Sequence, residues 1–203
     1  NNKPFIEYQL RYLQKQGIKN VVISIGQFGE MIENCVKNLK NIKLDIQFVF
    51  DGKSLLGTGG AVKKSLYKLS DIFFVMYGDS FLPVNFEHIK NSFEYNNKEA
   101  LMTIFENLNL YDKSNVLYEN NKIQEYNKKT FNPKMKHIDY GLSIFSKNIF
   151  KDFPVYTNFD LSQVFLKMLS LNELDCFIVS ERFYEIGSFQ GIKDFKNYVN
   201  DNT

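Results

Sequence analysis

The sequence predicts an α/β fold in which a mostly parallel sheet, flanked by helices, is followed by an antiparallel half. Up to about residue 96, strand-length apolar segments alternate with segments of helical periodicity, and this alternation is typical of a parallel sheet covered by helices. From residue 100 onward, strand-length segments follow one another across short turns, which favours antiparallel pairing. The 203 residues are 44% hydrophobic and 24% charged, a composition typical of globular proteins.

The first half is predicted to repeat helix and strand, each element ending at a polar or glycine-rich turn. The apolar segment before Gly78 has hydrophobic residues on both faces, so we expect it to be the central and most buried parallel strand. The predicted strands of this half are residues 21–25, 46–50 and 72–77, and its helices cover residues 5–16, 31–39, 61–69 and 86–95.

The second half is predicted to be mainly antiparallel. Asn120 and Asn121 fit the two central positions of a primed turn, which joins strands into a tight hairpin. The predicted strands are residues 100–105, 115–118, 123–126, 137–145 and 176–179, and the helices cover residues 160–169 and 190–199. We expect one domain over residues 1–203, with a nucleotide-binding half up to about residue 98 and a sugar-binding half from about residue 99.

Charge and composition exclude several classes of protein. The formal net charge is only +2, and Arg11 and Arg182 are the two arginines, so a nucleic-acid surface is not expected. No apolar run reaches the roughly 20 residues of a membrane span. Cys35 and Cys176 lie in apolar patterns without metal-ligand spacing, which favours buried thiols in a reducing compartment. We therefore predict a cytoplasmic protein with no membrane partner.

A glycine cluster joins a strand to a helix in the first half. Gly57, Thr58, Gly59 and Gly60 would let the backbone approach a ligand closely, at a helix N-terminus that offers amides. The same residues also suit a turn that needs positive φ, so both interpretations stay open. The cluster matches neither the dinucleotide fingerprint nor the P-loop.

Two acidic residues follow apolar strands. Asp79 follows the predicted strand 72–77 after Gly78, at the strand end where ligands of open α/β sheets bind and where a carboxylate can hold a metal. Glu185 stands between Tyr184 and Ile186, and a buried carboxylate there would need a cation. The alternatives are a turn or cap role for Asp79 and a solvent-facing position for Glu185.

Six short motifs stand in one order along nearly the whole chain. They are Lys3-Pro4-Phe5-Ile6-Glu7-Tyr8, residues 56–61, Gly78-Asp79-Ser80, Tyr126-Asn127-Lys128-Lys129, residues 139–145 and Glu185-Ile186-Gly187. Together they resemble the sugar-1-phosphate nucleotidyltransferase family. Within that family, the Tyr-Glu-Ile-Gly and Asp-Tyr-Gly-Leu-Ser segments look most like D-glycero-D-manno-heptose 1-phosphate guanylyltransferases.

The resemblance implies a Rossmann-like fold and a Mg²⁺-dependent transfer of a nucleotidyl group from a nucleoside triphosphate, GTP being expected, to a sugar 1-phosphate, expected to be a heptose. The product would be an NDP-sugar for surface polysaccharide synthesis. The implied roles are metal binding by Asp79 and Glu185, nucleotide binding by Gly57, Thr58, Gly59, Gly60 and Asp79, catalysis by Asp79 and Lys128, and sugar binding by Lys128, Asp139, Tyr140 and Gly141.

The sequence departs from the family pattern at three places. Glu185 stands where most members have Asp, and Lys128 follows Asn127 instead of the usual Glu. The family's first strand and its glycine-rich triphosphate loop do not precede Asn1, so we expect either that the chain shown lacks its N-terminus or that the protein lacks the catalytic loop. Alternatives to the guanylyltransferase are a cytidylyl-, thymidylyl- or uridylyltransferase and a non-catalytic nucleotide-sugar binding subunit. A homodimer is allowed, although no pattern marks an interface.

Overall fold

The computed structural model describes residues 3–130 and 132–202, which divide into two compact units. The first unit comprises residues 3–73 and 146–167, and the second comprises residues 74–130, 132–145 and 168–202. The α-helices are α1 (Phe5–Lys15), α2 (Gly29–Lys37), α3 (Gly57–Ser65), α4 (Phe86–Asn96), α5 (Ser162–Ser170) and α6 (Phe189–Asp201). The strands are β1 (Asn20–Ile25), β2 (Asp45–Phe50), β3 (Ile72–Met76), β4 (Ser80–Phe81), β5 (Ala100–Glu106), β6 (Val116–Glu119), β7 (Lys122–Tyr126), β8 (His137–Ser146), β9 (Leu174–Val179) and β10 (Tyr184–Glu185).

The first unit is built on a parallel pair of strands. β1 and β2 run side by side in register from Asn20 opposite Asp45 to Ile25 opposite Phe50. Helix α3 packs against both strands, and the hydroxyls of Ser24 and Ser65 lie 2.8 Å apart. Two short 3₁₀ segments, Leu66–Lys68 and Lys147–Phe150, complete this unit.

The second unit is built on a six-stranded sheet. Its strand order is β7-β6-β8-β5-β9, and β3 also pairs with β8. The pairs β5–β8, β6–β7 and β6–β8 are antiparallel, whereas β5–β9 is parallel. A separate antiparallel ladder joins β4 to β10, and α6 packs on β10.

Most predicted elements are confirmed, with ends that differ from the predicted ones by at most four residues. The turn between β6 and β7 is as expected, because Asn120 and Asn121 both have positive φ, at 53° and 59°. The α/β class with flanking helices and an antiparallel second half is also confirmed. The division into a nucleotide-binding and a sugar-binding half stays a prediction.

The prediction that residues 72–77 form the most buried strand is wrong. Most of β3 is only half-buried, whereas β5 and β8 are almost fully buried. An apolar pattern on both faces of a strand reports the character of the side chains, and it does not determine how fully neighbouring elements cover them. Among the described residues, no helix is long and apolar enough to cross a membrane.

Candidate functional site

Asp79 and Glu185 lie on neighbouring strand ends in the second unit. β10 pairs with β4 so that Glu185 stands opposite Ser80, and the Ile186 amide donates to the Asp79 carbonyl at 3.0 Å. Asp79 is exposed, and its Oδ1 accepts a hydrogen bond from the Ser80 hydroxyl at 3.0 Å. The ladder therefore brings the backbones of the two predicted metal ligands side by side, although 105 residues separate them in the sequence.

The Glu185 carboxylate contacts the start of α6. Its Oε2 accepts from the Ser188 amide at 2.9 Å, and its Oε1 accepts from the Ser188 hydroxyl. An ionised carboxylate has about four lone-pair positions, so these bonds leave acceptor capacity for a cation.

The donor set at this place fits Mg²⁺. Within residues 3–130 and 132–202, no three histidine, cysteine, aspartate or glutamate side chains form a group that could hold a metal by themselves. Mg²⁺ usually binds through one or two carboxylates together with substrate phosphates and water, so two carboxylates are a suitable donor set, and metal binding by Asp79 and Glu185 stays a prediction.

A buried carboxylate, that of Asp139, lies at the centre of a second cluster in the same unit. Its Oδ2 accepts from the Tyr126 hydroxyl at 3.0 Å and from the Tyr77 hydroxyl at 3.4 Å, and its Oδ1 accepts from the Gly141 amide at 3.1 Å. The Lys128 ammonium lies 3.9 Å from Oδ2, with side-chain exposures of 35% for Lys128 and 2% for Asp139. The cluster thus joins a buried carboxyl group to a lysine that solvent or a ligand can reach.

Burial raises the pKa of the Asp139 carboxyl above its ordinary value, because desolvation disfavours the charged form. The ammonium of Lys128 opposes this shift, followed by the Gly141 amide and the hydroxyls of Tyr126 and Tyr77. Lys128 is also held over the rings of Tyr77 and Tyr126, at 5.2 and 5.8 Å from their centroids, and it donates to the Tyr77 hydroxyl at 3.3 Å. Two aromatic rings and one carboxylate therefore orient this ammonium group.

Gly141 lies in an irregular stretch of β8 that connects the two clusters. The pairing of β5 with β8 shifts between Met102 and Ile104, and Gly141 has a φ of +95°. A Cβ at this position would stand 3.1 Å from the Tyr77 ring and 3.7 Å from the Ser80 hydroxyl. Only glycine adopts this backbone conformation readily at such close approach, so Gly141 leaves room for the Tyr77 ring.

The side chain of Tyr140 lies elsewhere. It is 2% exposed and packs with the rings of Phe105 and Phe183, at centroid distances of 6.3 and 6.0 Å. Successive side chains of a strand point to opposite faces, which separates Tyr140 from Asp139. The structure therefore does not bring the Tyr140 ring to the Asp139 cluster.

The glycine cluster belongs to the first unit, where it packs against residues 157–160. The amides of Gly59 and Gly60 both donate to the Phe159 carbonyl, at 3.0 and 3.2 Å. A Cβ on Gly57 would lie 2.7 Å from the same carbonyl oxygen, and one on Gly59 would overlap the Phe159 ring. This packing accounts for the glycines, while nucleotide contact stays a prediction.

Thr58 is also engaged within the first unit. Its hydroxyl donates to Asp160 at 3.2 Å and accepts from the Leu161 amide at 2.8 Å, just before α5 begins. The side chain thus fixes the start of that helix, and its contact with a nucleotide stays a prediction.

Sequence reasoning missed four residues of the second unit's site. Tyr126 is the first residue of the motif that contains Lys128, and Tyr77 directly precedes Gly78-Asp79, so the sequence places both next to predicted site residues. The sequence does not indicate a site role for Ser188 or Gly191, because their contacts with Glu185 depend on how α6 begins.

No family model matches the chain. The D-glycero-alpha-D-manno-heptose 1-phosphate guanylyltransferase of Campylobacter jejuni is 26% identical over 189 residues, which cover 92% of this chain and 82% of that protein. The protein of the same name from Aneurinibacillus thermoaerophilus is 27% identical over 188 residues, covering 91% and 79%. The crystal structure of HddC from Yersinia pseudotuberculosis complexed with GMP-PN matches with a TM-score of 0.79 and 21% identity, covering 97% of this chain and 86% of that one.

These comparisons confirm that the chain resembles sugar-1-phosphate nucleotidyltransferases, and the fold agrees with that class. Within the class, the curated relatives that cover most of the chain are heptose 1-phosphate guanylyltransferases.

Proposed function

We propose that this protein transfers GMP from GTP to a D-glycero-D-manno-heptose 1-phosphate, giving a GDP-heptose and pyrophosphate. The similarity to two heptose 1-phosphate guanylyltransferases over more than nine-tenths of the chain carries the proposal. The two clusters of the second unit support it, because one offers oxygen ligands for a cation and the other an oriented ammonium group.

In the proposed reaction, a phosphate oxygen of the sugar 1-phosphate attacks the α-phosphorus of GTP. The bond between that phosphorus and the bridging oxygen breaks, and pyrophosphate leaves. Catalysis of such a transfer rests mainly on positioning and charge neutralisation. Asp79 and Glu185 would hold Mg²⁺, which when bound neutralises phosphate charge.

Lys128 would bind the phosphate of the sugar 1-phosphate. Asp139, Tyr77 and Tyr126 would fix the position of its ammonium group, since all three contact it or its partner. The Asp139 side chain is almost fully buried, so we propose that it contributes chiefly through Lys128. The contacts of Gly57, Thr58, Gly59 and Gly60 with the nucleotide, and a homodimer, stay predictions.

Selective stabilisation by GTP tests the proposal. A ligand that binds the native state raises the melting temperature by mass action, so GTP with MgCl₂ is expected to stabilise the protein more than ATP, CTP, UTP or dTTP at equal concentration. Adding the heptose 1-phosphate should then release pyrophosphate. A larger shift with CTP, UTP or dTTP would contradict the choice of base, and binding without pyrophosphate release would favour a non-catalytic subunit.

Lys128→Ala is expected to weaken binding of the sugar phosphate by about tenfold or more, because a hydrogen bond to a charged group contributes about 1.5–3 kcal/mol. The KM for the sugar 1-phosphate measures this loss, and the KM for GTP should change little. Because Lys128 follows Asn127 and not the usual Glu, the motif can also be aligned one residue further along, which selects Lys129. Lys129→Ala, at this exposed neighbouring lysine, is therefore the matched control. An effect confined to Lys129→Ala would move the proposed phosphate contact to that residue.

A further inference from the structure

Glu185 has a longer side chain than the aspartate that the family resemblance leads us to expect. The additional methylene gives the carboxylate one more rotatable bond, and a metal ligand with more rotamers is less well positioned before the metal binds. The backbone of residue 185 is fixed by the β4–β10 ladder, so what remains to be fixed is the side chain.

Ser188 fixes both oxygens of that carboxylate. Its amide donates to Oε2 at 2.9 Å and its hydroxyl donates to Oε1. The same hydroxyl accepts from the Gly191 amide at 2.9 Å, as the N-cap of α6. One side chain thus links the helix start to Glu185.

The third residue of the arrangement is Gly191. It is buried, and a Cβ placed on it would overlap Oε1 and Cδ of Glu185 as well as the Glu185 carbonyl oxygen. Its φ lies outside the left-handed region, so close approach, and not backbone conformation, requires glycine here. The space that the missing side chain leaves is the space that the Glu185 carboxylate occupies.

We infer that Ser188 is a positioning residue that holds Glu185 in the orientation required for metal binding, in a space that Gly191 leaves open. The inference rests on the proposed function, since it assumes that Glu185 is a ligand of Mg²⁺. Ser188 itself acts through Glu185 and does not contact the metal.

The test compares GTP binding with and without metal, in the absence of sugar phosphate so that no turnover occurs. Calorimetry gives the dissociation constant for GTP in MgCl₂ and in EDTA, and their ratio measures the metal's contribution. Ser188→Ala is expected to lower this ratio about tenfold, the lower end for loss of an outer-shell partner. Ser188→Thr should restore it, because threonine keeps the hydroxyl.

Asn85→Ala is the matched control. Asn85 is the N-cap of α4, and its side chain accepts from the His88 amide at 3.1 Å, so it has the same capping role in the same unit without a carboxylate attached. Both alanine variants should lose similar stability on urea unfolding, but only Ser188→Ala should change the ratio. Ser188→Gly, which disturbs a helix start less than alanine does, replaces the alanine variant if that one fails to fold.

Equal ratios for Ser188→Ala and Asn85→Ala, or a wild-type ratio in Ser188→Ala, would overturn the inference. A wild-type protein whose GTP affinity does not depend on MgCl₂ would instead contradict the metal site of the proposed function. The two failures are therefore distinguishable.

Discussion

Asp79→Asn is expected to lower turnover by roughly a thousandfold and to leave the fold intact. The amide keeps the shape of the side chain but removes the negative charge proposed to hold Mg²⁺. A metal contributes several kcal/mol to charge stabilisation in such a transition state, and about 1.4 kcal/mol corresponds to a factor of ten in rate. Because Asp79 is exposed, its replacement does not disturb the core. Pyrophosphate release measures the turnover, and urea unfolding measures the fold.

The control for this variant is the same aspartate-to-asparagine substitution at the other end of β3. Asp71 directly precedes β3 (Ile72–Met76), whereas Asp79 follows it, and both are exposed. Asp71→Asn should retain normal turnover, because its carboxylate is not part of the proposed site. If Asp79→Asn kept near-normal Mg²⁺-dependent pyrophosphate release, Asp79 would not be the metal ligand.

The local order of elements could be predicted from the sequence because periodicity and turn chemistry are local properties. The hairpin between β6 and β7 follows from two adjacent asparagines that tolerate positive φ. Asp79 could be singled out because it directly follows an apolar strand, where sheet topology places ligands. Glu185 could also be identified, because it is an acidic residue between apolar neighbours just before the glycine turn at Gly187.

The contacts that orient the site could not be predicted, since they join residues distant in sequence. Tyr77 and Asp139 meet across 62 positions, and only the pairing of β3 with β8 brings them together. Sugar binding is predicted for Tyr140 as well as for Asp139, whereas strand alternation turns the Tyr140 ring into the core. The glycines at 57, 59 and 60 suggested a ligand, whereas close packing on Phe159, for the first two, and on the Thr157 carbonyl, for Gly60, already requires glycine at these positions.

The buried carboxyl group of Asp139 is expected to make the stability of the protein depend on pH. Burial raises the pKa of this carboxyl above its ordinary value of 3.8, so the folded protein binds a proton there more tightly than the unfolded chain does. The stabilising contribution is therefore complete below the unfolded pKa and is lost as pH rises through the folded pKa. Asp139→Asn cannot titrate, and it keeps one acceptor oxygen for the surrounding donors.

We expect the free energy of unfolding of the wild type, relative to that of Asp139→Asn, to fall as the pH rises from the unfolded pKa of Asp139 through its raised folded pKa. The fall is ~1.4 kcal/mol for each unit by which the folded pKa exceeds the unfolded one. Urea unfolding of both proteins across this range measures the difference, and Asp71→Asn reports the effect of removing an exposed carboxylate. In a Lys128→Ala background the fall should be larger, because the cation that opposes the shift is gone. A difference that rises with pH would mean that attraction to Lys128 outweighs desolvation. The Asp139–Lys128 pair would then be an ordinary stabilising ion pair. Burial of Asp139 would in that case not cost stability, and it would no longer support a role of the cluster in orienting the ammonium group for a ligand.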